Sequence, residues 1–197
     1  MASTTIVRFL RPGLLLAVGL LITVLSATPL AAQTQSCDCD VTNPESMKAR
    51  QCSLCGEAEK QPAGTEVFFL KDVNPRKPNR WLALPKAHAE HWHRMADLPA
   101  ELRTKLWTAA IAKARELFGE TAWGLALNSD RIRTQCHTHI HIGKLLPGVE
   151  TSDALLEVSS PAEIPVPDED GIWVHPVAGG KLHVHRGEKI TETVLLR

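Results

Sequence analysis

Polar and apolar positions alternate in short runs from about residue 65 to 145, interrupted once by a stretch with helical spacing. Residues 65–73 and 80–85 read as strands. The segment between them, 74–79, carries two prolines that exclude regular structure, so the pair predicts an antiparallel hairpin. Leu102, Leu106, Ala109, Ala110, Lys113 and Leu117 then recur every three or four residues and predict an amphipathic helix over about 99–118. Asp97 and Pro99 suit its start, Glu101 favours its positive end and Gly119 stops it. Residues 121–129 and 137–145 give the third and fourth strands. After Pro147 the pattern thins. Residues 151–170 are acidic and proline-containing and read as a loop with a short helix, and 171–176, 181–185 and 191–196 read as a small terminal β-meander. The class expected is α+β, an antiparallel sheet of about five strands with one main helix across it.

The fourth strand changes the picture. His137, His139 and His141 occupy every second position, with Thr138, Ile140 and Ile142 between them. Side chains two apart on a strand share a face, roughly 6.6–6.8 Å from each other. That spacing is too long for three rings to bind one metal comfortably; it suits one ring on a metal and its neighbours on a phosphate. A polar strand face is the plain alternative. The loop before the strand carries Arg131, Arg133, Thr134 and Gln135, which can supply charge-assisted hydrogen bonds to phosphate oxygens, although loop arginines are as often simply solvated. His91 and His93 flank Trp92 ahead of the helix and read as surface histidines. His183 and His185 repeat the period of two without a third histidine and read as a polar strand face, with ligand contact the alternative.

Charge and composition then narrow the partners. Lysine plus arginine equals aspartate plus glutamate at 22 each, which gives no footprint for nucleic acid. Arg8 and Arg11 precede an uncharged apolar run from Leu14 to Val24, and small residues follow up to Ala32. Residues 1–32 therefore read as a signal peptide cleaved after Ala32, with a retained single-span anchor as the alternative. Either version places the remainder outside the cytoplasm, in a periplasm. Residues 33–51 read as a linker. Five cysteines cannot all pair within one chain. Cys37 and Cys39 are too close to bridge each other well, and either could pair elsewhere in an oxidising compartment. Cys52-Ser53-Leu54-Cys55-Gly56 divides between zinc, redox activity and disulfides; a thioredoxin-like role needs a βαβ context that the following residues lack.

His137-Thr138-His139-Ile140-His141-Ile142, with Ala126-Leu127-Asn128-Ser129 and Arg133-Thr134-Gln135 upstream, resembles the histidine-triad (HIT) superfamily of nucleotidyl hydrolases and transferases. The longer run looks closer still to the CDP-diacylglycerol pyrophosphatase branch. Thr138 departs from the apolar pattern, and Leu84-Pro85-Lys86-Ala87-His88 resembles a Pro-Lys-x-His element that this branch commonly lacks. The resemblance covers about 52–147, a HIT-like catalytic domain, with 148–197 as a C-terminal β extension of it. It implies His139 as a nucleophile that forms a nucleotidyl-histidine, with His141 and Thr134 assisting. It implies Asn128, Arg133 and Gln135 at the substrate, and a structural zinc on Cys52, Cys55, His88 and His137. The function expected is hydrolysis of a nucleotide phosphoanhydride in a nucleotide-containing small molecule or nucleotide-lipid. A nucleotidyltransferase, a non-catalytic zinc-stabilised nucleotide-binding module and a copper or zinc scavenger are the alternatives. A homodimer is left open.

Overall fold

Seven runs become strands: β1 (Val67–Lys71), β2 (Trp81–Pro85), β3 (Trp123–Leu127), β4 (Ile140–Lys144), β5 (Leu155–Val158), β6 (Gly171–Pro176) and β7 (Leu182–Glu188). They are seen in a computed structural model that describes residues 37–88, 93–149, 155–167 and 169–197. Outside the described residues lie the expected leader and its cleavage site, His91, residue 150, and residues 151–154 and 168 of the acidic segment. All the strands join one antiparallel sheet in the order β1-β2-β4-β3-β6-β7-β5. The class is α+β, as expected.

The sheet is wider than the five strands expected because the terminal strands extend it rather than forming a separate meander. β3 is apolar and buried along its whole length. An unpaired edge there would leave buried N–H and C=O groups without partners. β6 pairs that edge through Leu125↔Val174, Ala126↔Trp173 and Leu127↔Ile172. β7 and then β5 follow, β5 arising within the segment expected to be a loop. Residues 191–196, expected as a strand, instead form a 3-10 turn at Thr191–Val194, with Leu195 bridged to Leu145. Arg80 accounts for this: its buried guanidinium donates to the carbonyls of Glu192, Leu195 and Leu196, drawing them out of a regular ladder.

One face of the sheet is covered by a helix of 19 residues, here called α3 (Ala100–Phe118); α1 (Pro44–Met47) and α2 (Ser53–Glu59) precede it. Leu106, Trp107, Ala110, Ile111 and Ala114 of α3 bury against Leu125, Leu127, Ile140, Ile142, Val174 and Val184. Lys113 sits at the margin of this stripe with its ammonium 4.8 Å from the centre of the Trp81 ring. Gly119, at φ +77°, ends the helix in a conformation that L side chains rarely adopt. Among the described residues no helix is long and apolar enough to cross a membrane.

The other face has two separate covers. Leu54 and Ala58 of α2 pack on Phe68, Leu82 and Leu84. Val194 and Leu195 of the C-terminal tail pack on Ala126 and Trp173. The tail can lie this close because β3 and β4 carry glycine beneath it. A Cβ at Gly143 would stand 3.2 Å from Leu195 Cβ, and one at Gly124 would stand 2.7 Å from Leu195 Cδ2. The segment expected as a linker is tied into the domain from Cys37 onward. Disulfides join Cys37 to Cys136 and Cys39 to Cys52, and Asn43 caps α1 by accepting from the Glu45 and Ser46 N–H groups.

Candidate functional site

Between those covers a cleft of about 960 Å³ opens over β1, β2 and β4. β4 proper begins at Ile140, so His141 lies within it and His139 just before it. Pleating sends Ile140 and Ile142 beneath α3 and turns His141 to the cleft, opposite Leu82 on one side and Ala126 on the other. His139 lines the same cleft, its ring 4.9 Å from that of His141 in an edge-on arrangement. His137 does not share their surroundings. It is fully buried, 5.4 Å from the His88 ring, and its Nε2–H donates to the Pro85 carbonyl at 2.7 Å. The row of three thus divides between two environments.

The tautomer of His139 follows from its partner. Nδ1 lies 2.9 Å from the His137 carbonyl, which can only accept, so Nδ1 carries the proton and Nε2 the lone pair. Burial, above all, pushes the ring down to about 4, so it is neutral at neutral pH. His141 is pushed to about 3, again chiefly by burial. Its Nδ1 lies 3.7 Å from Glu192 Oε2 and its Nε2 3.5 Å from the Asn128 amide nitrogen. The Asn128 side-chain oxygen accepts from the Glu192 N–H at 3.1 Å and from the Thr191 hydroxyl at 3.3 Å, which turns its NH2 group toward His141. Burial would raise the Glu192 carboxyl, but His141, Lys77 and Arg80 outweigh it and hold it at about 2. A carboxylate, an imidazole and an amide therefore stand in line beside His139.

Of the other expected residues, Asn128, Arg133, Thr134 and Gln135 all border the cleft. Thr134 is exposed to it. Gln135 donates to Ser53 Oγ at 3.0 Å, linking the loop to α2. Arg133 is buried and its guanidinium faces protein: it donates to the His93 and Cys136 carbonyls at 2.7 and 3.2 Å and pairs with Asp130 at 2.8 Å. It holds the loop rather than reaching outward. Arg131 pairs with Glu169. Residues that the sequence did not point to complete the wall, notably Arg50, Lys71, Lys77 and Glu192. Lys77 belongs to the hairpin turn, and Glu192 comes from a distant tail that no local motif marks.

Behind His137 lies a grouping that could hold a metal ion. One ligand atom each from Cys55, His88 and His137 lie within 4.8 Å of one another. His88 Nε2 and His137 Nδ1 are buried without a hydrogen-bond partner, as expected of nitrogens that would face a cation. Burial raises the Cys55 thiol to about 11 and lowers His88 and His137. The expected fourth ligand, Cys52, is corrected: its sulfur is bonded to Cys39 and offers no thiolate. Cys55 is the one free cysteine. His93, expected at the surface, is half-buried, with its ring 5.4 Å from that of His88.

Compared with models of known protein families and with curated proteins, the chain matches none.

Proposed function

We propose that this chain is an exported HIT-type hydrolase of a nucleotide phosphoanhydride, acting through a nucleotidyl-histidine on a substrate such as CDP-diacylglycerol. One observation carries the proposal. His139 is a neutral ring, fixed by its Nδ1–H bond to the His137 carbonyl with the lone pair left on Nε2, and it lines a cleft of about 960 Å³. Arg50 and Lys71 supply positive charge along that cleft, which Glu57 and Asp72 also border and where Lys77 pairs with Glu192, and Leu54, Leu70, Val73, Ile132 and Ile190 supply apolar wall. A diphosphate joined to a lipid or nucleoside needs both.

In the first step His139 Nε2 attacks the nucleotide phosphorus. An N–P bond forms as the P–O bond to the bridging oxygen breaks, and that oxygen leaves with the other phosphate. The ring becomes cationic, and its Nδ1–H bond to a carbonyl stabilises the charge. Thr134 and Asn128 donate to oxygens on which charge develops. Water then adds to the same phosphorus, the N–P electron pair returns to His139, and the water proton passes through His141 to solvent. Glu192 and Asn128 hold the His141 ring for that transfer.

Zinc is the metal that fits the buried grouping, because one thiolate and two imidazoles are its usual donors. Cys55, His88 and His137 would hold it, and the neighbouring His93 is the candidate for the fourth position. Bound there it would brace β2, α2 and the approach to β4, and the cleft chemistry does not depend on it. Two disulfides support the export reading, since such bonds persist in oxidising compartments.

Purified, disulfide-intact chain incubated with CDP-diacylglycerol should release CMP and phosphatidate. Quenched mixtures should contain an acid-labile nucleotide on the 137–141 peptide. His139→Ala should lower hydrolysis by about a thousandfold or more at unchanged thermal stability, and His141→Ala by less. Full activity in His139→Ala would defeat the proposal.

A further inference from the structure

Strands β6 and β7 carry a second group of histidines that the cleft does not use. In their register His175 faces His183 and Trp173 faces His185. Val174 and Val184, one position away, lie in the core under α3, so the alternation turns all four rings to the opposite face. His141, Ala126, Trp173 and His185 are successive partners across β4, β3, β6 and β7. Three strand steps separate His141 from His185, roughly 14 Å. None of the three histidines borders the cleft.

We propose that His175, His183 and His185 form a binding site for a divalent transition-metal ion of the zinc, copper or nickel class, distinct from the Cys55 grouping. One nitrogen from each ring lies within 4.8 Å of the others. His175 Nε2 and His185 Nε2 are 3.2 Å apart. Two nitrogens each about 2.05 Å from a tetrahedral ion stand about 3.3 Å from each other, so little movement is needed to receive one. The tautomer is already set at His175, whose Nδ1–H donates to the Pro176 carbonyl at 3.2 Å and leaves the Nε2 lone pair toward His185. Such a bond behind the ligating nitrogen is the usual support of a metal-binding imidazole.

The rings are also held in place. Trp173 stacks on His185 at 3.6 Å, with only 4° between the planes, and on His175 at 5.3 Å. His175 and His185 are buried and His183 is half-buried. Glu157, opposite His183 on β5, places Oε2 3.7 Å from His183 Nε2, while its Oε1 pairs with Lys181 at 2.5 Å. Three imidazoles with a carboxylate nearby favour borderline ions over calcium or magnesium, which take oxygen ligands. This site does not depend on the hydrolase reading.

The test uses the full mature chain with its disulfides intact, dialysed against zinc sulfate and counted by atomic absorption. The wild type should hold one zinc more per chain than His183→Ala. The double variant Cys55→Ser/His88→Ala should retain that ion. Loaded with one equivalent of copper(II), this double variant should show paramagnetic resonance splitting from three nitrogens, and its tryptophan fluorescence should be quenched because Trp173 lies against the site. Equal zinc content in wild type and His183→Ala would overturn the proposal. If His183→Ala does not fold, the copper spectrum decides, and a signal without multiple nitrogen couplings would overturn it.

Discussion

His141 shows how much one side chain depends on its neighbours. Its two nitrogens lie between Glu192 and Asn128, and both partners are set by the 3-10 turn that begins at Thr191. Glu192 is therefore a positioning residue in the proposed reaction. Glu192→Gln should lower kcat by about tenfold to a hundredfold while KM moves little, because it alters proton transfer rather than binding. A proportional rise in KM with kcat unchanged would place Glu192 in binding instead. The same carboxyl sets an acid limit. Its folded value of about 2 lies below its ordinary 4.5, so folding favours the ionised form. That contribution is complete above the ordinary value and is lost as the pH falls from there toward 2. Melting temperatures taken from about pH 5 down to about pH 2.5 should drop more steeply for the wild type than for Glu192→Gln; parallel curves would contradict the assignment. Around His137, Cys55→Ser or His88→Ala should remove one zinc per chain and lower the melting temperature rather than only slow turnover. Protein purified without a histidine tag, free of zinc and no less stable for it, would refute that.

Elements reveal packing that composition hides. β6 enters the sheet at Gly171, where an added Cβ would lie 2.7 Å from the Leu127 carbonyl oxygen, 2.9 Å from that of Glu188 and 2.6 Å from Thr191 Cγ2. Two of those three atoms are backbone and cannot rotate away. Gly171→Ala should thus destabilise the chain by about 1–3 kcal/mol, which chemical denaturation would read. It should also reduce hydrolysis, since the displaced Thr191 precedes Glu192. A neutral effect would mean that the shift in β6–β7 register between Gly171 and Ile172 absorbs the methyl group. The helix was more legible. Its three- and four-residue spacing gave boundaries within a residue of those observed, and the central contacts at Leu106 and Ala110 were among the positions read from it. Trp107, Ile111 and Ala114 complete the buried face.

At the scale of the molecule two disulfides close covalent loops of very different length. Cys37–Cys136 spans 99 residues and Cys39–Cys52 spans 13. By loop closure the first should contribute about 4–5 kcal/mol and the second about 3 kcal/mol. The double variant Cys37→Ser/Cys136→Ser should accordingly unfold at markedly lower denaturant than Cys39→Ser/Cys52→Ser. The reverse order would show that native contacts, not chain entropy, dominate. Export is checked separately: chain recovered from outside the cytoplasm should begin near Gln33, and an intact Met1 on membrane-bound protein would make the leader an anchor.

Local chemistry determined much of this protein. Alternation in the hairpin and β4, helical spacing in α3, proline in the turn and glycine at the helix end act over a few residues, so the sequence alone placed the hairpin, α3 and the β3 and β4 runs, while β5 and the 191–196 turn escaped it. His139, His141, Asn128 and Thr134 were brought out together by resemblance to a known motif. Only the tertiary structure decided what those residues meet. It separated His137 from its two neighbours, because the Pro85 carbonyl and the Cys55–His88 grouping come from other parts of the chain. It removed Cys52 from the thiolates through Cys39, a choice among five cysteines that spacing leaves open. It joined the terminal strands to β3, whose buried backbone needed partners, and carried Glu192 to His141 by way of Arg80. Each of these depends on backbone and side-chain groups far apart in sequence satisfying one another inside a low-dielectric interior, where an unpaired group is costly.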